Sequence, residues 1–132
     1  MIVVLDSNAA IAVVLQQEKG VYFNELIEKS EKVMTSEFFR IEVANVIKKY
    51  YKGNFIKREH CNELLEMAEG LVDEFIPIKG NNVEALNESI RLDYSAYDML
   101  YLTLARRTGA TLLTLDHPLL MIAKKEGISI IE

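Results

Sequence analysis

Cysteine, proline, tryptophan, positive charge and long apolar runs are all scarce in this chain, and each scarcity closes off a class of protein. A single cysteine among 132 residues, Cys61, excludes an intramolecular disulfide and leaves no thiol pair for zinc, so it reads as a small core residue. The longest clean apolar run, Ala9 to Leu15, is too short to span a bilayer. Asp6 interrupts the apolar opening and no basic residue precedes it, which argues against a signal peptide; the expected location is cytoplasmic, with no membrane partner. Fifteen Lys and Arg stand against twenty Asp and Glu, for a net charge of −5, which argues against a protein that holds polyanions by excess positive charge. Neither a G-x-x-x-x-G-K-[ST] loop nor a G-x-G-x-x-G fingerprint occurs, which argues against nucleotide hydrolysis and dinucleotide chemistry. The two histidines, His60 and His117, show no metal-ligand spacing, and no Ser-His-Asp arrangement is supported.

What is present is a soluble globular balance, 50% hydrophobic and 27% charged, without repeat, linker or low-complexity segment, so residues 1–132 read as one domain. Apolar Ile2 to Leu5 predicts a strand, and Asp6, Ser7 and Asn8 then offer three helix-capping residue types in a row. Further strands are predicted at Val33 to Thr35, Glu74 to Ile78, Thr111 to Leu115 and Ile128 to Ile131. Helices are predicted between them, with Gly53, Gly109 and Gly127 as punctuation and a turn at Gly80-Asn81-Asn82. Strands alternating with helices imply a three-layer α/β/α sandwich around a parallel sheet of about five short strands.

Four acids lie far apart in sequence, each beside apolar segments: Asp6, Glu42, Asp98 and Asp116. Asp6 and Asp116 directly follow predicted strands, where open parallel sheets place their ligand sites. Glu42 borders an apolar helical stripe with Phe38, Phe39 and Val46, and Asp98 shares a helical face with Leu102 and Ala105. Brought together, the four would repel one another unless a cation such as Mg²⁺ or Mn²⁺ neutralised them, which points to metal-assisted phosphodiester hydrolysis. Each acid also has a plainer role. Asp6 and Asp116 can be helix caps, Glu42 an edge residue with its carboxylate in water, and Asp98 the far half of a Ser95-Ala96-Tyr97-Asp98 capping box.

The order of four segments resembles the PIN-domain ribonucleases, particularly the VapC-like toxins of toxin–antitoxin pairs. Those segments are V-V-L-D-S-N from Val3, E-V-A-N-V from Glu42, S-A-Y-D-M-L-Y-L-T-L-A from Ser95 and L-L-T-L-D from Leu112, and the resemblance spans the whole chain. It implies a metal-dependent endoribonuclease that leaves 5′-phosphate and 3′-hydroxyl ends. Asp6, Glu42, Asp98 and Asp116 match the acidic positions that bind Mg²⁺ or Mn²⁺, Ser7 and Asn8 match the polar pair after the first acid, and Thr114 matches the supporting hydroxyl before the last. It also implies an RNA substrate, a cognate VapB-like antitoxin laying a peptide across the active-site groove, and a toxin homodimer. Two positions depart from the pattern: Met99 follows Asp98 where relatives often carry alanine, and His117, Pro118 and Leu119 follow Asp116 without a further acid.

Two other possibilities come from different classes. One is a catalytically silent PIN-like module that binds RNA or protein, against which the intact acidic set counts. The other is a phosphotransfer enzyme, but Asp6-Ser7-Asn8 lacks the second aspartate of a D-x-D motif. Lys48, Lys49, Lys52, Lys57 and Arg58, interleaved with Tyr50, Tyr51 and Phe55, suit an RNA backbone track; the favoured alternative is lysines at a helix C-terminus with the aromatics in the core.

Overall fold

Four consecutive apolar residues have no polar face to turn toward water, so the strand they form needs cover above and below and neighbours on both edges. The computed structural model, which describes residues 1–132, supplies both. Strand β1 (Ile2–Leu5) pairs in parallel with β2 (Lys32–Ser36) on one side and β4 (Thr111–Leu113) on the other. Strand β3 (Glu74–Ile76) extends the sheet beyond β2, giving the order β3-β2-β1-β4. Val3, Val4 and Leu5 are 0% exposed, at the centre of the core.

Seven helices cover the sheet: α1 (Ser7–Val14), α2 (Glu18–Lys29), α3 (Phe39–Lys52), α4 (Cys61–Glu69), α5 (Ile78–Leu92), α6 (Ala96–Thr108) and α7 (His117–Lys125). α6 is the most enclosed, with every residue from Met99 to Ala105 buried, and it packs on β1, β2 and β4 as well as on α5. α1 and α2 approach so closely at Gly20 that a Cβ there would lie 1.9 Å from the Ala12 carbonyl oxygen.

Several element ends differ from expectation for local reasons. The sheet has four strands rather than about five, because Ile128 to Ile131 touches β4 through one parallel bridge, Leu112 to Ile130, instead of a ladder. β4 stops at Leu113 rather than Leu115: the Asp116 N–H donates to Thr114 Oγ1 at 3.0 Å, a side-chain turn that takes the backbone out of the sheet. β3 stops before Pro77, which has no N–H to continue a ladder. The expected turn at Gly80 is real: Lys79 and Gly80 leave helical geometry, with φ of 90° at Gly80, so the start of α5 is broken by a kink and the helix runs regularly only beyond it. Asn81 locks that turn onto α6, its Nδ2 donating to the Leu100 carbonyl while its Oδ1 accepts from Arg107.

The winding sense places the site. From β1 the chain moves outward to β2 and then β3; it then returns to the opposite edge at β4, whose following segment bridges still further out. The reversal falls between β1 and β4, so the crevice beyond their carboxyl ends is where a parallel α/β sheet offers a binding site. Asp6 is the first residue after β1, and Asp116 lies three residues after β4.

Candidate active site

Asp6 continues the β1–β4 ladder, its N–H donating to the Leu113 carbonyl at 3.2 Å. Its carboxylate caps α1, with Oδ1 accepting from the Ala9 N–H at 2.9 Å, and is only 4% exposed. Burial raises its pKa from 3.8 to about 7, and Glu42 and Asp116 push the same way, against the Thr114 hydroxyl and the Ala9 N–H, which favour the charged form. Capping and membership of an acidic cluster therefore coexist in one side chain.

Asp116 caps α7 through Oδ1, which accepts from the Leu119 N–H at 3.2 Å. Thr114 serves both strand-end acids: its buried hydroxyl accepts the Asp116 N–H and favours the charged form of Asp6. The Tyr94 hydroxyl stands 3.5 Å from each Asp116 carboxylate oxygen. Its pKa is raised by burial first, then by Asp116 and Asp98, so it remains a donor.

Glu42 lies in the first turn of α3, and its carboxylate is tied down. Ser7 Oγ and the Tyr101 hydroxyl both donate to Oε1, at 2.6 and 2.7 Å, leaving Oε2 unengaged. It is therefore not an edge residue reaching for water. Asp98 sits half-buried in the first turn of α6, and the anticipated capping box does not close around it. Ser95 Oγ accepts from the Tyr97 N–H at 3.2 Å, but the Asp98 carboxylate makes no return bond and stays available. Burial, then Asp116 and Glu42, raise its pKa from 3.8 to about 6.

The four acids, carried by four separate elements, thus feel one another's charge. No three carboxylate, imidazole or thiol groups stand close enough to share one ion directly. Hydrogen bonds hold Asp6, Glu42 and Asp116 at their present spacing, and mutual repulsion opposes closer approach. An all-oxygen donor set in which burial first, and neighbouring carboxylates second, raise the pKa values of Asp6 and Asp98 suits a hard divalent cation, whose charge would favour their ionised forms and remove the repulsion.

Of the supporting residues, Ser7 and Thr114 are buried and bonded to the acids, whereas Asn8 is exposed. Two residues escaped the sequence reading. Tyr101 lies one helical turn after Asp98, a spacing that could have flagged it; Tyr94 precedes α6 and carries no such signal. The basic segment follows the favoured reading in part, with Lys49 and Lys52 in the last turn of α3. Tyr50 packs edge-on against Phe55 and contacts the core, but Phe55 itself is 80% exposed. None of Lys48, Lys49, Lys52, Lys57 and Arg58 enters an ion pair.

Comparison with known proteins bears on the fold and the family. The chain is 26% identical over 124 residues to Ribonuclease VapC3 from Pyrobaculum aerophilum, covering 90% of this chain and 92% of the relative. The crystal structure of PAE2754 from Pyrobaculum aerophilum matches with a TM-score of 0.76 at 20% identity, covering 98% of this chain and 92% of that one. VapBC2 from Rickettsia felis, bound to a DNA fragment from their promoter, matches with a TM-score of 0.70 at 18% identity, covering 99% and 98%. Both structural likenesses establish the fold. The sequence profile of the PIN domain matches residues 3–125, a span that contains all four acids, and the chain therefore belongs to the PIN domain family.

Proposed function

We propose that this chain is a metal-dependent endoribonuclease toxin that hydrolyses RNA phosphodiester bonds and is restrained by a cognate VapB-like antitoxin. The observation that carries the proposal is the meeting of Asp6, Glu42, Asp98 and Asp116, from four elements, in one electrostatically coupled cluster at the switch point of the sheet. The likeness to Ribonuclease VapC3 along nearly the whole chain supports the ribonuclease activity, and the likeness to VapBC2 supports the antitoxin.

Asp6, Asp98 and Asp116 would hold Mg²⁺ or Mn²⁺, with Glu42 as a further ligand or as the group that orients water. When bound, the cation supplies counter-charge and Lewis acidity at the scissile phosphodiester. The protein supplies order around it. Thr114 fixes the turn carrying Asp116 and favours ionised Asp6, which the Ala9 N–H holds in place, while Ser7 and Tyr101 occupy Glu42 Oε1 so that Oε2 can accept a hydrogen bond from water. Tyr94 holds its proton toward Asp116 and damps the local negative charge. Products with 5′-phosphate and 3′-hydroxyl ends fit hydrolysis at this kind of site.

The toxin works as a cytoplasmic homodimer in this proposal. No helix is long and apolar enough to cross a membrane, and α5 exposes Val83, Leu86 and Ile90 on one face, apolar area available to a second copy. Nothing in the site favours a catalytically silent module, since the acidic set is intact. The deciding experiment incubates purified chain with RNA in Mg²⁺, Mn²⁺ or chelator, alongside Asp6→Asn. Cleavage only by the natural chain with metal supports the proposal, and metal-independent or absent cleavage refutes it.

A further inference from the structure

The two helices that bring Glu42 and Asp98 to the site each bring an aromatic ring with them. Phe38 lies one turn before Glu42 and Tyr97 immediately precedes Asp98; their rings stack with centroids 4.9 Å apart and planes 17° apart. This pair does not close the core. Tyr97 is 62% exposed and Phe38 half-buried, so the tyrosine ring is open to solvent at the mouth of the acidic cluster.

A groove of about 560 Å³ starts from these rings and runs along α3, over Ile41, with Glu42, Asn45 and Lys48 as its polar lining. Glu42 ties one end to the acids. Lys48 lies about 9 Å further along the helix axis at 1.5 Å rise per residue, and forms no ion pair. Asn45 is exposed there, with an amide able to donate and accept at once. A free π-face, an adaptable amide and an unpaired ammonium in sequence match the base, base edge and phosphate of single-stranded nucleic acid. Any polymer that reacts at the acids must leave them in some direction, and this groove begins at Glu42.

We infer that Tyr97, backed by Phe38, is a stacking platform for one nucleobase of single-stranded RNA next to the scissile bond, with Lys48 taking a phosphate further along the groove. The inference rests on the ribonuclease reading and adds the substrate-binding residues to it.

Fluorescence anisotropy tests it with a short single-stranded RNA and its abasic counterpart, on the Asp6→Asn chain of residues 1–132 so that the RNA stays intact. Stacking on Tyr97 makes the abasic strand bind about tenfold or more weaker. Tyr97→Leu in the same background erases that difference, and Tyr97→Phe, which keeps the π-face, retains it. In the cleaving chain, Tyr97→Leu raises KM about tenfold with kcat changed less than about twofold, as loss of uniform binding requires. The abasic comparison needs no substitution at the rings, so it stands even if Tyr97→Leu disturbs the fold. Equal binding of the two strands overturns the platform, as does discrimination that survives Tyr97→Leu. Cleavage with KM unmoved by Tyr97→Leu also overturns it but leaves the ribonuclease reading standing. Base-dependent binding without cleavage does the reverse. If Tyr97→Leu abolishes only contact with a protein, leaving RNA discrimination intact, the rings belong to a protein interface and the platform falls.

Discussion

The Tyr101 hydroxyl donates to Glu42 Oε1 at 2.7 Å, joining α6 to α3 across 59 residues of sequence inside the acidic cluster. Burial first and Glu42 second push the Tyr101 pKa upward, so the phenol keeps its proton and its role as donor. Together with Ser7 it fixes which oxygen of Glu42 faces the cleft.

Tyr101→Phe removes that donor and keeps the ring. The expected result is a stability loss of about 1.5–3 kcal/mol, as for hydrogen bonds to charged groups, and about tenfold slower RNA cleavage. Thermal denaturation and single-turnover cleavage read the two effects. Unchanged rates in both Tyr101→Phe and the Ser7→Ala, Tyr101→Phe double variant would remove Glu42 orientation from the mechanism.

Asp6→Asn is expected to abolish cleavage while stabilising the metal-free chain at alkaline pH. The sign follows from a folded-state pKa of about 7 against 3.8 unfolded: the folded chain binds the proton more tightly, so stability declines as pH rises through this window. The cost is complete above the folded value, at most about 4 kcal/mol, and asparagine removes it. The advantage of asparagine should shrink as pH falls through the window, being smaller at pH 5 than at pH 8, and vanish only below about pH 3.8, where Asp6 is protonated in the folded and unfolded chains alike. Melting curves of both chains at pH 5 and pH 8, in chelator, check this; a variant less stable at pH 8 contradicts it.

Mg²⁺ or Mn²⁺ should raise the melting temperature more at pH 8 than at pH 5, because protons on Asp6 and Asp98 compete with the cation. Asp98→Asn should weaken that response, and chelation should stop cleavage. A melting temperature indifferent to divalent metal at both pH values would sink the cation assignment.

Self-association should depend on the apolar face of α5. Ile90 is 72% exposed and shares that face with Val83 and Leu86, so Ile90→Lys should convert a dimer to a monomer without changing the fold. Light scattering and circular dichroism read this out. A natural chain that is monomeric throughout the micromolar range refutes the dimer, and a dimeric Ile90→Lys chain moves the interface elsewhere.

Gly20→Ala tests the helix pair behind the site. A methyl group 1.9 Å from the Ala12 carbonyl oxygen has nowhere to go without moving α2 off α1, so a loss of about 3 kcal/mol is expected despite the better helix propensity of alanine. Urea denaturation measures it, and a neutral outcome would mean that the α1–α2 crossing yields freely.

How much of this was legible in the chain depended on the range of the interaction involved. Ile2 to Leu5 announces a buried strand because no polar side chain interrupts it, and Asp6 announces a cap because its type and place suit one. The four acids could be singled out for the same reason: each interrupts or ends an apolar pattern. Local signals did not decide outcomes that depend on how the elements finally pack. The capping box at Ser95 and Asp98 does not close, Phe55 points to solvent, and Ile128 to Ile131 makes one bridge rather than a strand.

Periodicities, single-residue caps and turns follow from the order of residues along the chain, since each depends on neighbours within a few positions. Tertiary structure alone decided that Thr114 serves both Asp6 and Asp116, that Tyr101 reaches Glu42, and that Phe38 stacks on Tyr97 at the mouth of the cleft. The same holds for the raised pKa values of Asp6 and Asp98, because desolvation and charge repulsion exist only once separate elements have enclosed the groups together.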